Sequence, residues 1–175
     1  PCITADDGTL MFTRRVKAPE IPVYGMQEDF YVSRRDLEGN WKAAIPLPVV
    51  NTRAFNEGAG TLSPDGRFLI FTKCALEDGS YGGTLSGEGS CDLFISRRVG
   101  DRWGVPQNRG TPVNSSHWET QPSLASDGRT LYYIRGSVAR DGIKSMDIWT
   151  TTMADDGTWS KPVKLGENVN TPYQE

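Results

Sequence analysis

One series of landmarks returns three times along this 175-residue chain in a fixed order, and that repetition constrains its fold more than any other feature. An Asp-Gly turn at Asp7-Gly8 comes back as Asp65-Gly66 and Asp127-Gly128. A β-rich run follows each turn, over 9–13, 67–72 and 129–134. After a variable loop, Asp29, Asp92 and Asp147 each open a second such run. A short glycine turn then leads to Trp41, Trp103 and Trp159, and a proline follows (Pro46, Pro106, Pro162). Each unit closes on a Val-Asn pair (Val50-Asn51, Val113-Asn114, Val169-Asn170) and ends on a glutamate, Glu57, Glu119 or Glu175.

Each unit holds four strand candidates: one leading into the Asp-Gly turn, the two β-rich runs, and one after the tryptophan and proline. Asp-Gly between β-rich segments is a tight-hairpin signal. A four-stranded antiparallel unit repeated every few tens of residues predicts a blade of a β-propeller. The expected fold is therefore all-β: three four-stranded antiparallel blades, over 1–57, 58–119 and 120–175. The three tryptophans are expected to fill the space between blades, because a large ring buries about 150–250 Å²; stacking on a sugar is the other reading of them.

The segment Ser63-Pro64-Asp65-Gly66-Arg67-Phe68-Leu69-Ile70-Phe71, followed by Asp92-Leu93-Phe94-Ile95-Ser96, resembles the WD-type repeat of TolB-like propellers. The series Trp159, Pro162, Leu165-Gly166, Val169-Asn170, Glu175 is similar to the variant in cell-envelope proteins of Bacteroidetes-type bacteria. The resemblance implies a neighbouring OmpA-like, peptidoglycan-binding domain or a type IX secretion apparatus, and a site in the periplasm or on the periplasmic face of the outer membrane. The first unit departs from the pattern, with Asp6 at the place of the turn proline.

Composition excludes several classes. The net charge is −3 with both signs interspersed, so no basic face is laid out for nucleic acid. No apolar run approaches the roughly 18 residues of a membrane-spanning helix. A single histidine, His117, leaves the common zinc constellations unfilled and limits Ser-His-Asp chemistry. No G-x-S-x-G elbow occurs, and the glycine-rich stretch 78–89 lacks a phosphate-binding pattern. No cofactor is expected beyond a calcium ion held by carboxylates.

Propellers have four to eight blades. Three blades therefore imply partners: missing blades from the same chain, or a second copy making a six-bladed ring. Loops after the second strand (14–28, 73–91, 135–146) and after the fourth emerge on one face, the usual place for binding specificity. On that channel-mouth face Glu57, Glu119, Glu175, Asn51, Asn114, Asn170 and His117 are the candidate ligand- or partner-binding residues. The glutamates have a second reading, as acceptors for backbone amides at a turn. Unique polar residues in the loops (Glu20, Asp36, Glu88, Asp141) mark no pair.

Cys74 ends one strand and Cys91 opens the next, so they face each other across a hairpin, as a disulfide or as two thiols; Cys2 reads as a small buried hydrophobe. Every repeated acidic residue has a structural explanation. The expectation is thus a non-catalytic binding or scaffold module, not an enzyme, engaging an envelope protein or peptidoglycan. The alternative is part of a carbohydrate-active or peptidase-associated propeller enzyme.

Overall fold

A computed structural model of the protein describes residues 1–18, 25–139, 142–173 and 175. The described chain is all-β, with thirteen strands and no helix. The first unit is a four-stranded sheet in the order β1 (Cys2–Ile3), β2 (Thr9–Lys17), β3 (Met26–Arg34) and β4 (Ile45–Pro46). The second contains β5 (Asn56–Leu62), β6 (Phe68–Cys74), β7 (Cys91–Val99), the short β8 (Arg102–Trp103) and β9 (Gln107–Asn108). The third contains β10 (Trp118–Leu124), β11 (Thr130–Ala139), β12 (Gly142–Thr152) and β13 (Val163–Lys164). One parallel pairing, Trp118 with Cys91, joins the second and third units into a nine-stranded sheet. All other pairings are antiparallel.

The turn between the first two strands of each unit is built by an aspartate. In the second unit Asp65 Oδ1 accepts from Ser63 Oγ at 2.6 Å and from the Arg67 amide at 3.0 Å, and Gly66 takes a positive φ of 66°. In the first unit Asp6, not Asp7, does this work: it accepts from Thr4 Oγ1 at 2.5 Å and from the Gly8 amide at 3.0 Å. Asp7 then occupies the left-handed position of Gly66 and Gly128, with φ 55°. The repeat is therefore displaced by one residue at its first turn, and Cys2, facing Met11, matches Thr61, which faces Ile70.

Alternation along the strands makes two apolar faces per unit. Met11, Phe30 and Val32 point toward the second unit and meet Leu69, Phe71 and Phe94 there. Ile70, Leu93 and Ile95 point toward the third unit and meet Leu131 and Tyr133. Phe30 and Phe71 meet edge to face, with centroids 5.6 Å apart. Gly60 leaves room for this contact, since a Cβ there would come within 2.9 Å of the Phe30 ring. The units also share hydrogen bonds: the Gln121 amide, at a bulge in β10, donates to Thr72 Oγ1.

The three tryptophans occupy one backbone setting, each bridged to a residue at the end of the third strand: Arg35, Arg98 and Met153. Their surroundings differ. Trp103 packs on the core formed with the first unit, and Trp159 is buried in the core formed with the second. Trp41 is 39% exposed and lies under the Arg35 guanidinium, so it fills no space between units. Trp103 and Trp159 each dock on the preceding unit, and among the described residues nothing packs on Trp41 in that way.

Two expected loops are partly strand. β2 and β3 pair through Lys17 and Met26, and β11 and β12 pair through Ala139 and Gly142, because long hairpins satisfy their own backbone groups. The excursion between Cys74 and Cys91 is a loop; Tyr81 is buried within it and donates from its hydroxyl to the Gly89 carbonyl. A Cys74–Cys91 disulfide closes that loop. Cys2 is a free, partly buried thiol, and burial raises its pKa.

Candidate functional site

The repeated asparagines clamp strands. Asn114 accepts from the Leu93 amide and donates to the Leu93 carbonyl, both at 2.9 Å. Asn51 does the same to Phe30, and Asn170 to Ile148. Each side chain thus pairs with the third strand of its unit, β7, β3 or β12, beside the backbone bond that the neighbouring segment makes to the same carbonyl. Asn114 and Asn170 are buried.

The repeated glutamates hold the next residue. Glu57 accepts from the Thr52 amide and hydroxyl, Glu119 from those of Ser115, and Glu175 from those of Thr171. Glu57 and Glu119 sit inside β5 and β10 and are fully buried, so they do not face a channel as a carboxylate ring would. Of the two roles open to these residues, the bonds match amide acceptance at a turn.

Two of these carboxylates also meet a cation, buried Lys73 or part-buried Arg135, that repetition alone did not bring to notice. Lys73 Nζ bonds Glu57, and Arg135 Nε lies 2.7 Å from Glu119. Burial raises the pKa of Glu57 and outweighs the pull of Lys73 and Thr52. Burial likewise lowers the pKa of Lys73. Glu119 is raised for the same reason, against bonds from Ser115 and the charge of Arg135. The signal in the sequence was the basic residue at one place in every second strand: Arg14, Lys73 and Arg135.

The other candidates are dispersed. His117 is exposed; its amide donates to Ser115 Oγ, and its carbonyl lies against Gly89. Asp36 caps a turn by accepting from the amides of Glu38 and Asn40. The Glu88 amide donates to the buried Asp92, and its side chain is exposed. Glu20 and Asp141 lie outside the described residues. Among the described residues no three acidic, histidine or cysteine side chains are grouped as a metal site requires.

The described residues also form concavities. A cleft of about 360 Å³ lies at the Asn51 end of the first unit, between Lys17, Gln27, Asp29 and Arg53. A groove of about 700 Å³ follows the seam between the first and second units. Its floor is apolar (Met11, Val32, Leu62, Trp103), and its rim carries Arg34, Lys42, Arg98 and Arg102 against a single acid, Asp101. Arg98 pairs with Asp101 at 3.1 Å, while its buried Nε has no acceptor among the described residues. Sequence reading missed this rim. Its trace is the Ser-Arg-Arg repeated near the end of the third strand, Ser33-Arg34-Arg35 and Ser96-Arg97-Arg98, which the third unit lacks.

No protein-family model and no curated protein match the chain. Among solved structures it is similar to the tricorn protease, at 10% identity and a TM-score of 0.53, over 91% of this chain. A puromycin-hydrolyzing peptidase of Mycobacterium tuberculosis is also similar, at 15% identity and a TM-score of 0.45, over 87% of this chain. The chain spans 18% of the first structure and 23% of the second. This corrects the expectation of a non-catalytic envelope scaffold that is no part of an enzyme: the fold is one found in a protease.

Proposed function

We propose that this chain is a peptidase-associated β-propeller segment, its three units being blades, and that the groove along the first seam receives peptide. The observation that carries this reading is the likeness to the tricorn protease over 91% of the chain. The groove supports it chemically. An apolar floor suits an aliphatic or aromatic side chain, and a cationic rim suits a carboxylate, the two features of a peptide end or an acidic peptide. The Cys74–Cys91 disulfide supports an oxidising compartment as its place of work.

Calorimetric titration with short aliphatic peptides tests the reading. Peptides with a free terminal carboxylate should bind, and their amides should bind about tenfold more weakly, as expected for loss of one charge-assisted contact. Arg102→Ala should weaken the acids and leave the amides unchanged. Absence of heat with every peptide, or binding of oligosaccharides in their place, overturns it.

A further inference from the structure

Arg109 breaks the repeat. Its amide donates to the Leu93 carbonyl as those of Leu47 and Leu165 donate to Phe30 and Ile148. Strand register agrees: Asn108 faces Phe94 and Lys164 faces Trp149, as Pro46 faces Tyr31. The leucine of the first and third units is therefore an arginine in the second. Leu47 is buried in the apolar core between the first and second units. Arg109 instead meets the third unit, with its guanidinium carbon 5.9 Å from the centre of the Trp159 ring.

Two donors meet at this place without an acceptor. Nε of Arg109 and Nε1 of Trp159 are both buried with no hydrogen-bond partner among the described residues, and Trp159 as a whole is 9% exposed. Unpaired buried donors are costly, a charged one most of all. A second cation stands close by. Arg97 follows Ile95 by two residues on β7, on the face turned to the third unit. Burial, and then the charge of Arg97, lower the pKa of Arg109. Neither arginine forms an ion pair among the described residues.

We propose that Arg109, Arg97 and the Trp159 indole bind a small oxyanion, a carboxylate or a phosphate, at the seam between the second and third units. A guanidinium presents its N–H groups as a planar fork that matches two oxygens of such a group. The indole N–H is a donor only and takes a further lone pair. Water satisfies the two donors but leaves both charges uncompensated; an oxyanion answers donors and charges together. This site lies one seam away from the cationic groove and does not depend on peptide binding there.

Heteronuclear NMR of the isotope-labelled chain tests this through the Trp159 indole N–H resonance, assigned by its loss in Trp159→Phe. Sodium phosphate and, separately, sodium acetate, titrated near neutral pH at constant ionic strength, should move that resonance to saturation. Sodium chloride should not. The anion bound more tightly identifies the class of ligand. Arg109→Leu restores the residue of the other two units, so it should fold, and it should weaken anion binding about tenfold or more through loss of a charge-assisted contact. Arg97→Gln, at an exposed position, should weaken it about threefold. A resonance that moves with neither oxyanion, that moves as far in chloride, or that titrates in both arginine variants as in the wild type overturns the proposal.

Discussion

The Asn114 side chain engages both the amide and the carbonyl of Leu93, twenty-one residues away in sequence, and is itself 1% exposed. A loop residue thereby completes the hydrogen bonding of the start of β7. Asn114→Ala should cost about 1–3 kcal/mol, because the buried Leu93 amide loses its acceptor while the Leu93 carbonyl keeps only the Arg109 amide. Urea denaturation measures it, and Asn114→Asp, which can no longer donate to the carbonyl, should be nearly as costly.

The buried Lys73–Glu57 pair predicts an asymmetry between single and double variants. Lys73→Met leaves a buried carboxylate without its cation and should cost about 3–5 kcal/mol. Combining it with Glu57→Gln should recover much of that loss, since no isolated charge remains. Equilibrium unfolding of the three variants checks it, and equal losses in all three would contradict the pairing energetics.

Stability should fall as pH rises above the ordinary glutamate value of 4.5. Burial raises the folded pKa of Glu119, so the folded state holds that proton more tightly than the unfolded state does. The contribution is complete below 4.5 and is lost as pH rises through the folded value. Glu57 shifts in the same direction. The turn aspartates Asp6, Asp65 and Asp127 are lowered, chiefly by side-chain hydrogen bonds, so their contribution is lost in the opposite sense as pH falls below 3.8. Denaturant midpoints measured from pH 3 to 7 should show both slopes, and Glu119→Gln should flatten the upper one.

Reduction of the Cys74–Cys91 bridge should destabilise the chain by roughly 3 kcal/mol on the loop-entropy account. Thermal unfolding with and without reductant reads this directly. A Cys74→Ala/Cys91→Ala variant should unfold at the reduced midpoint and be insensitive to reductant.

Val49 takes a φ of 71° and is 48% exposed. A β-branched residue is strained there, and it buries little that would compensate. Val49→Gly should therefore raise stability by about 1 kcal/mol, seen as a higher melting temperature.

Local chemistry was enough to read much of this chain from its sequence. Turn residues, strand alternation and the Trp-Pro-Asn-Glu order marked three like units, and hairpin logic set Cys74 opposite Cys91. Such signals lie within one unit and act over a few residues. The one-residue displacement at the first turn escaped because Asp6 and Asp7 stand side by side and only their bonds tell them apart.

What tertiary structure alone decided was which equivalent residues are covered. Trp41 and Trp159 share one backbone setting, yet one is exposed and the other buried, because only the second has a unit packed against it. Glu57 and Glu119 are buried beside Lys73 and Arg135, which the neighbouring strands β6 and β11 bring to them. The cationic groove likewise forms only where Arg34 and Lys42 of one unit meet Arg98 and Arg102 of the next. Sequence pattern determines which way a side chain points from its sheet; burial, charge and binding depend on what the neighbouring sheet brings to that face.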